Sequence, residues 1–319
     1  MRATAAALLA ITVITAHAAE APYPNRPIRI VAASSAGSGP DIMSRLIGQK
    51  LTEAWGQQVV VDVRPGASGM IGAEIAARAN PDGYTFLIAT AQHVIVNVMY
   101  EKRSYDLIRD FAPISLMAST PFLLVANPSV PANSIKELIV LAKAKPGQLQ
   151  YGSGGSGSPP HLAAEILKSM TGINVLHVPY KGITPALNDT VGGHLQMTFA
   201  VIPASISLVR AGKVKALGVT SAKRTALVPD VPTIAETVPG YEFIGWYSLL
   251  APAKTPAAII AKMNTEVLKA LKAPEFQERI SALGAEPIGA GPEVLAPFIR
   301  AQLEKMGKAV KDSGARPDA

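Results

Sequence analysis

Ile28-Arg29-Ile30-Val31-Ala32-Ala33 runs without a break into Ser34-Ser35-Ala36-Gly37-Ser38-Gly39-Pro40-Asp41. The first six residues are β-branched or small and carry one charge, the composition of a strand buried on both faces. The next eight are a turn of small residues. From Asp41 to Trp55 the apolar residues Ile42, Met43, Leu46, Ile47 and Leu51 recur at helical spacing. A strand feeding a helix through such a turn is the first half of a βαβ unit. The same design returns downstream. A strand at 150–152 enters Ser153-Gly154-Gly155-Ser156-Gly157-Ser158-Pro159-Pro160-His161 and then a helix to residue 171.

Outward from these two units, short β-branched runs alternate with helical segments, which predicts largely parallel sheet. Strands at 58–63 and 85–90 and a helix at 72–79 extend the first unit. A strand at 122–126 and a helix at 135–145 precede the second, and strands at 174–179, 195–200 and 214–220 with a helix at 185–191 follow it. Beyond a proline-punctuated segment, Val228-Pro229-Asp230-Val231-Pro232, lie a strand at 243–251 and helices at 256–272, 274–283 and 292–313. A chain of 319 residues exceeds what one core ordinarily supports. Breaks near Thr120 and Pro229 divide it into lobe one, residues 23–120 plus 230–319, and an inserted lobe two, residues 121–229. The fold class is α/β in two lobes.

Met1-Arg2, the apolar run 5–14 and Ala16-His17-Ala18 have the order of a secretory signal cleaved after Ala18, with a buried N-terminal helix as the alternative. This predicts a periplasmic, exported chain. No later stretch approaches the roughly 20 apolar residues of a membrane span. The absence of cysteine excludes disulfides, thiolate metal sites and a lipid-anchored start. The formal charge of +7 is spread along the chain with no basic run, so nucleic acid is not an expected partner.

The two loops suggest what the lobes do. Small residues let backbone approach a ligand, and serine hydroxyls add donors. Proline suits the first helical turn, and the helix start attracts an anion. Facing each other across a cleft, the loops form a two-sided anion clamp; the bland alternative is a pair of ordinary βα turns. The clamp supplies Ser35, Ala36, Ser38 and Gly39 from one side, and Gly154, Ser156, Gly157, Ser158 and His161 from the other. Thr90 and Gln92 follow the carboxyl end of a strand, where α/β ligands usually sit. Tyr180 and Ala204 complete the candidate set. Enzyme motifs are incomplete: Gly152, Gly154 and Gly157 match a dinucleotide fingerprint, but Met170 to Tyr180 holds no acidic residue. Ser158 stands where a nucleophile elbow needs glycine, and the histidines lack metal-ligand spacing. No metal and no cofactor is expected, and no catalytic residue. An exported serine hydrolase and a ligand-presenting sensor remain the rival readings.

Tyr23-Pro24-x-Arg26-Pro27, Gly39-x-Asp41, Trp55-Gly56-Gln57, Arg64-Pro65-Gly66-Ala67, Pro81-Asp82-Gly83-Tyr84, Val178-Pro179-Tyr180-Lys181-Gly182, Pro229-Asp230-Val231-Pro232-Thr233 and Ala251-Pro252-x-x-Thr255-Pro256 occur in this order over nearly the whole chain. The set resembles the Bug family, the substrate-binding proteins of tripartite tricarboxylate transporters. The resemblance implies a periplasmic binding protein type II (Venus-flytrap) fold with a hinge. It also implies a small carboxylate held by backbone N–H groups, hydroxyls and bridging waters, delivery to membrane transporter subunits, and a monomer. Two departures stand out: the first loop is poorer in glycine and proline than the pattern, and Gln196 holds a position often acidic. Arg64-Pro65-Gly66 and Pro81-Asp82-Gly83-Tyr84 read as turn-formers, and Trp246 as core.

Overall fold

The computed structural model describes residues 23–313 and 315–316, so the signal segment lies outside the described residues. In chain order the elements are β1 (Ile28–Ala32), α1 (Gly39–Trp55), β2 (Val59–Val63), α2 (Met70–Ala77), β3 (Thr85–Thr90), α3 (Ala91–Met99) and β4 (Phe111–Ala126). Then follow α4 (Ile135–Ala144), β5 (Gln150–Ser153), α5 (Pro159–Thr171), β6 (Leu176–Pro179), α6 (Ile183–Gly192), β7 (Met197–Val201), α7 (Ile202–Arg210) and β8 (Lys215–Val219). The chain closes with β9 (Ile244–Pro252), α8 (Ala257–Lys272), α9 (Pro274–Ser281), β10 (Glu286–Ala290) and α10 (Pro292–Ser313).

Strand order is β2-β1-β3-β9-β4-β7-β5-β6, with β8 and β10 also on β4. β1 pairs in parallel with β2 and β3, and β5 in parallel with β6 and β7, as the βαβ reading requires. β4 is common to both halves. It is antiparallel to β9 from Phe111 to Pro121, then to β7 from Phe122 and to β8 from Leu123. The return crossing lies later than the proline segment near Pro229. Val219 N–H donates to Pro232 O and Phe243 N–H to Thr220 O, both at 2.9 Å, which keeps residues 232–243 on the second half until β9 begins.

Side chains alternate across each strand, so each half-sheet buries two faces. Ile28 and Ile30 of β1 and Phe86 and Ile88 of β3 join Met43, Ile47, Met263 and Phe276 under α1, α8 and α9. Val31, Leu87 and Ala89 face the other way, into a core that continues through Tyr151, Leu162 and Trp246 to Leu295 and Ile299 of α10. Leu123, Val125, Leu187 and Ala200 fill the outer face of the second half. The loops that follow the carboxyl ends of β1, β2, β3, β5 and β6 all border one cavity.

Candidate functional site

A cleft of about 390 Å³ lies between those strand ends. The first half lines it with Ala33, Ser34, Ser35, Ser38 and Pro40, with Pro65, Gly66, Ser68 and Gly69 after β2, and with Thr90, Ala91 and Gln92. The second half contributes Gly154, Ser158, Pro159, Pro160, Gly182 and Ile183. The floor is made by the two shared strands, through Thr120 and Phe122 of β4 and Gly245, Trp246 and Tyr247 of β9.

Among the described residues no charged side chain lines this cleft. Its electrostatics come from backbone instead: α1, α2, α3, α5 and α6 all begin at it. Each helix start carries roughly half a positive charge and unpaired N–H donors. Pro159 and Pro160 remove two of those donors from α5, so that helix acts there more through its dipole than its N–H groups. A surface with donors and positive ends but no cation suits a small anion whose desolvation is offset by hydrogen bonds.

The loops are fixed by their own bonds. Gly37 N–H donates to Asp41 Oδ2 at 2.8 Å, and Ser38 Oγ to Ser34 Oγ at 2.8 Å. Asp41 is buried and paired with Arg45 at 2.9 Å, so it braces the loop rather than facing ligand. In the second loop Gly157 N–H donates to His161 Nδ1 at 3.0 Å, which fixes Nδ1 as the acceptor nitrogen. The His161 ring stacks on His177 with centroids 4.2 Å apart, and His177 Nε2 lies 2.6 Å from Ser153 Oγ. Behind Thr90, Thr90 N–H donates to His93 Nδ1 at 3.1 Å, and burial pushes the His93 pKa down to about 4, keeping the ring neutral.

Of the residues expected from sequence, Ser35, Ser38, Thr90, Gln92, Gly154 and Ser158 line the cleft. Ala36, Gly39, Ser156, Gly157, His161, Tyr180 and Ala204 do not, for separate reasons. A β-carbon at Gly39 would meet the Tyr247 hydroxyl, so a neighbouring side chain accounts for that glycine. Gly157, at φ +76°, backs onto Met99 and Ile95 of α3. His161 is buried behind its loop. The Tyr180 hydroxyl is turned to Asp189 at 2.6 Å. Ala36 and Ala204 are exposed to solvent away from the lining, and Ser156 sits half-buried outside it. The departure at Gln196 is remote from the cleft too, its Oε1 accepting from Gln150 N–H at 2.9 Å. Conversely Pro65 and Gly66 wall the cleft rather than merely turning the chain, and Trp246 is both core and floor. Thr120, Phe122 and Tyr247 have no motif around them, and only the pairing of β4 with β9 puts them here.

Three lining residues carry buried polar atoms without a partner among the described residues: Thr120 Oγ1, Ser158 Oγ and Trp246 Nε1. Each is able to donate. No group of three or more metal-ligating side chains occurs among the described residues.

Two α/β lobes joined by two strands, with helix starts converging on the cleft between them, are the build of a two-lobed solute-binding protein. The family model for the tripartite tricarboxylate transporter family receptor, TctC, matches residues 43–315, and the chain belongs to that family. Protein BugT of Bordetella pertussis (strain Tohama I) is 33% identical over 299 residues, spanning 92% of this chain and 91% of BugT. The solved structure of R. palustris Rpa4515 with adipate is 37% identical with a TM-score of 0.84, over 93% of this chain and 100% of that one. MatC (Rpa3494) from Rhodopseudomonas palustris, solved with bound malate, is 29% identical with a TM-score of 0.79, over 90% of this chain and 100% of that one.

Proposed function

We propose that this chain is exported to the periplasm, captures a small dicarboxylate or related organic acid between its lobes, and presents it to a tripartite tricarboxylate-type membrane transporter as a monomer. The observation that carries the reading is the convergence of five helix starts on a cleft that no charged side chain lines among the described residues. Such a surface favours an acceptor-only anion and disfavours a ligand that brings donors of its own. The adipate and malate seen with two relatives are of this chemical class. Lobe one is residues 23–120 with the part of 230–319 from β9 onward, and lobe two is residues 121–229, with residues 230–243 as a linker resting on it. The opening Met1–Ala18 segment acts as the signal.

The test is a titration of the purified chain with a carboxylate panel and matched diamides. An acid in the panel binds while its diamide loses most of that affinity, because amide N–H groups find no acceptors on the helix starts. Equal affinity for acid and diamide overturns the anion reading.

A further inference from the structure

The cleft floor holds a polar group that the converging helix starts do not explain. Tyr247 on β9 is 8% exposed, its ring packed among Ile30, Met43 and Leu249, yet it lines the cleft. Its hydroxyl makes no hydrogen bond to a described residue. That hydroxyl occupies the place a β-carbon on Gly39 would take, and Gly39 opens the 17-residue helix α1. The phenol oxygen is therefore seated at the positive end of the helix, on a residue that lines the cleft. Burial pushes its pKa up to about 12, so it is a donor throughout the physiological range. On the same two strands Thr120 Oγ1 and Trp246 Nε1 are also donors left without a partner.

We propose that Tyr247 is a ligand-reading residue, its hydroxyl donating to a carboxylate oxygen lodged at the start of α1, and that Gly39 is glycine in order to seat that hydroxyl there. The inference rests on the carboxylate reading of the cleft. A hydroxyl that bonds no protein acceptor, on a residue that lines the cleft, is left with a donor for the ligand that phenylalanine would not supply.

The experiment uses the full mature chain, with adipate and malate as probes in titration calorimetry and thermal unfolding without ligand as the second measurement. Tyr247→Phe removes the hydroxyl alone. It weakens the probe that binds by roughly tenfold or more, the effect of losing a hydrogen bond to a charged group, while leaving the unliganded melting temperature nearly unchanged. Gly39→Ala displaces the phenol and lowers both affinity and melting temperature. In the double variant the nearest ring atom left to the new β-carbon is Cζ, at 3.2 Å. The melting temperature therefore recovers but the affinity does not. Unchanged affinity in Tyr247→Phe overturns the assignment while leaving the carboxylate reading standing. Recovery of affinity along with stability in the double variant assigns Tyr247 to packing alone and overturns it too. If the wild-type chain binds no carboxylate, both readings fall together.

Discussion

Ser158 occupies the cap position of α5, yet its hydroxyl makes no cap hydrogen bond and has no partner among the described residues. A buried hydroxyl without a partner costs about 1–3 kcal/mol, so a ligand that accepts from it recovers that amount on binding. Ser158→Ala should weaken carboxylate binding several-fold by calorimetry, with the fold as stable as before or slightly more so. Ser158→Pro is harsher, since it also deletes the N–H that donates to Gly155 O at 3.1 Å. His93 carries a second prediction, on stability. Its ring is held neutral by burial, with a pKa near 4 against an ordinary 6.5. The unfolded chain takes up a proton near pH 6.5 that the folded chain refuses until about pH 4. Stability is therefore complete above that window and lost as pH falls through it, by roughly 3 kcal/mol at 1.36 kcal/mol per pKa unit. His93→Gln keeps an acceptor for Thr90 N–H without titrating, so its melting temperature should fall less steeply between pH 6.5 and 4 than that of the wild type. Parallel curves would assign the acid sensitivity to other groups.

Among the elements, α5 shows how the second loop is aimed. Tyr151 OH donates to Glu165 Oε1 at 2.6 Å, and Lys168 Nζ pairs with the same oxygen at 2.6 Å, tying the helix to β5. Glu165→Ala leaves the tyrosine hydroxyl buried without its acceptor and should destabilise by about 1–3 kcal/mol. Ligand affinity should fall as well, although Glu165 is outside the cleft, because the start of α5 is no longer held; a variant that melts early yet binds as tightly would show that the loop positions itself. The strand-loop-helix units on either side of this contact were legible in sequence, because strand composition, a small-residue turn, proline and helical spacing all coincide within a few residues. Other elements were hidden by conflicting signals. α3 follows β3 with no loop, and its Val94, Ile95, Val96 and Val98 read as strand. The first part of β4 contains Pro113 and Pro121, and β10 contains Pro287 and Gly289, residues that argue against strands in a sequence reading. Pro113, Pro287 and Gly289 are tolerated where the ladder shifts register, between Pro113 and Ser115 on β4 and between Pro287 and Ala290 on β10, and Pro121 where β4 passes from β9 to β7. Ser35, Ser38, Gly154 and Ser158 of the cleft lining were legible for the same local reason. The floor was not, because Thr120 and Tyr247 are far apart in sequence and meet only through sheet pairing.

For the molecule as a whole, the two lobes are joined where β4 passes between half-sheets at Pro121 and Phe122, and where the chain returns from Phe243 into β9. Two extended strands side by side bend through a few backbone dihedrals, which is what a hinge requires. A third connection is made by packing. α10 rests against α3 of one lobe and α5 of the other, and Phe298 on it meets Trp246 of the floor edge-on at 5.5 Å. The helices α3 and α5 that it touches both begin at the cleft, so α10 packs against both lobes beside the ligand-facing loops. A ligand shifts the equilibrium between open and closed lobes only by the difference in its affinity for the two arrangements, and an acid bonded to the loops of both lobes has that difference built in. Saturation with a binding carboxylate should therefore shrink the radius of gyration in solution scattering and slow hydrogen exchange at residues 120–122 and 243–246. A rigid pocket that fills without motion would bind with neither signal changing, and at confirmed saturation that outcome would refute capture by closure while leaving the fold as described.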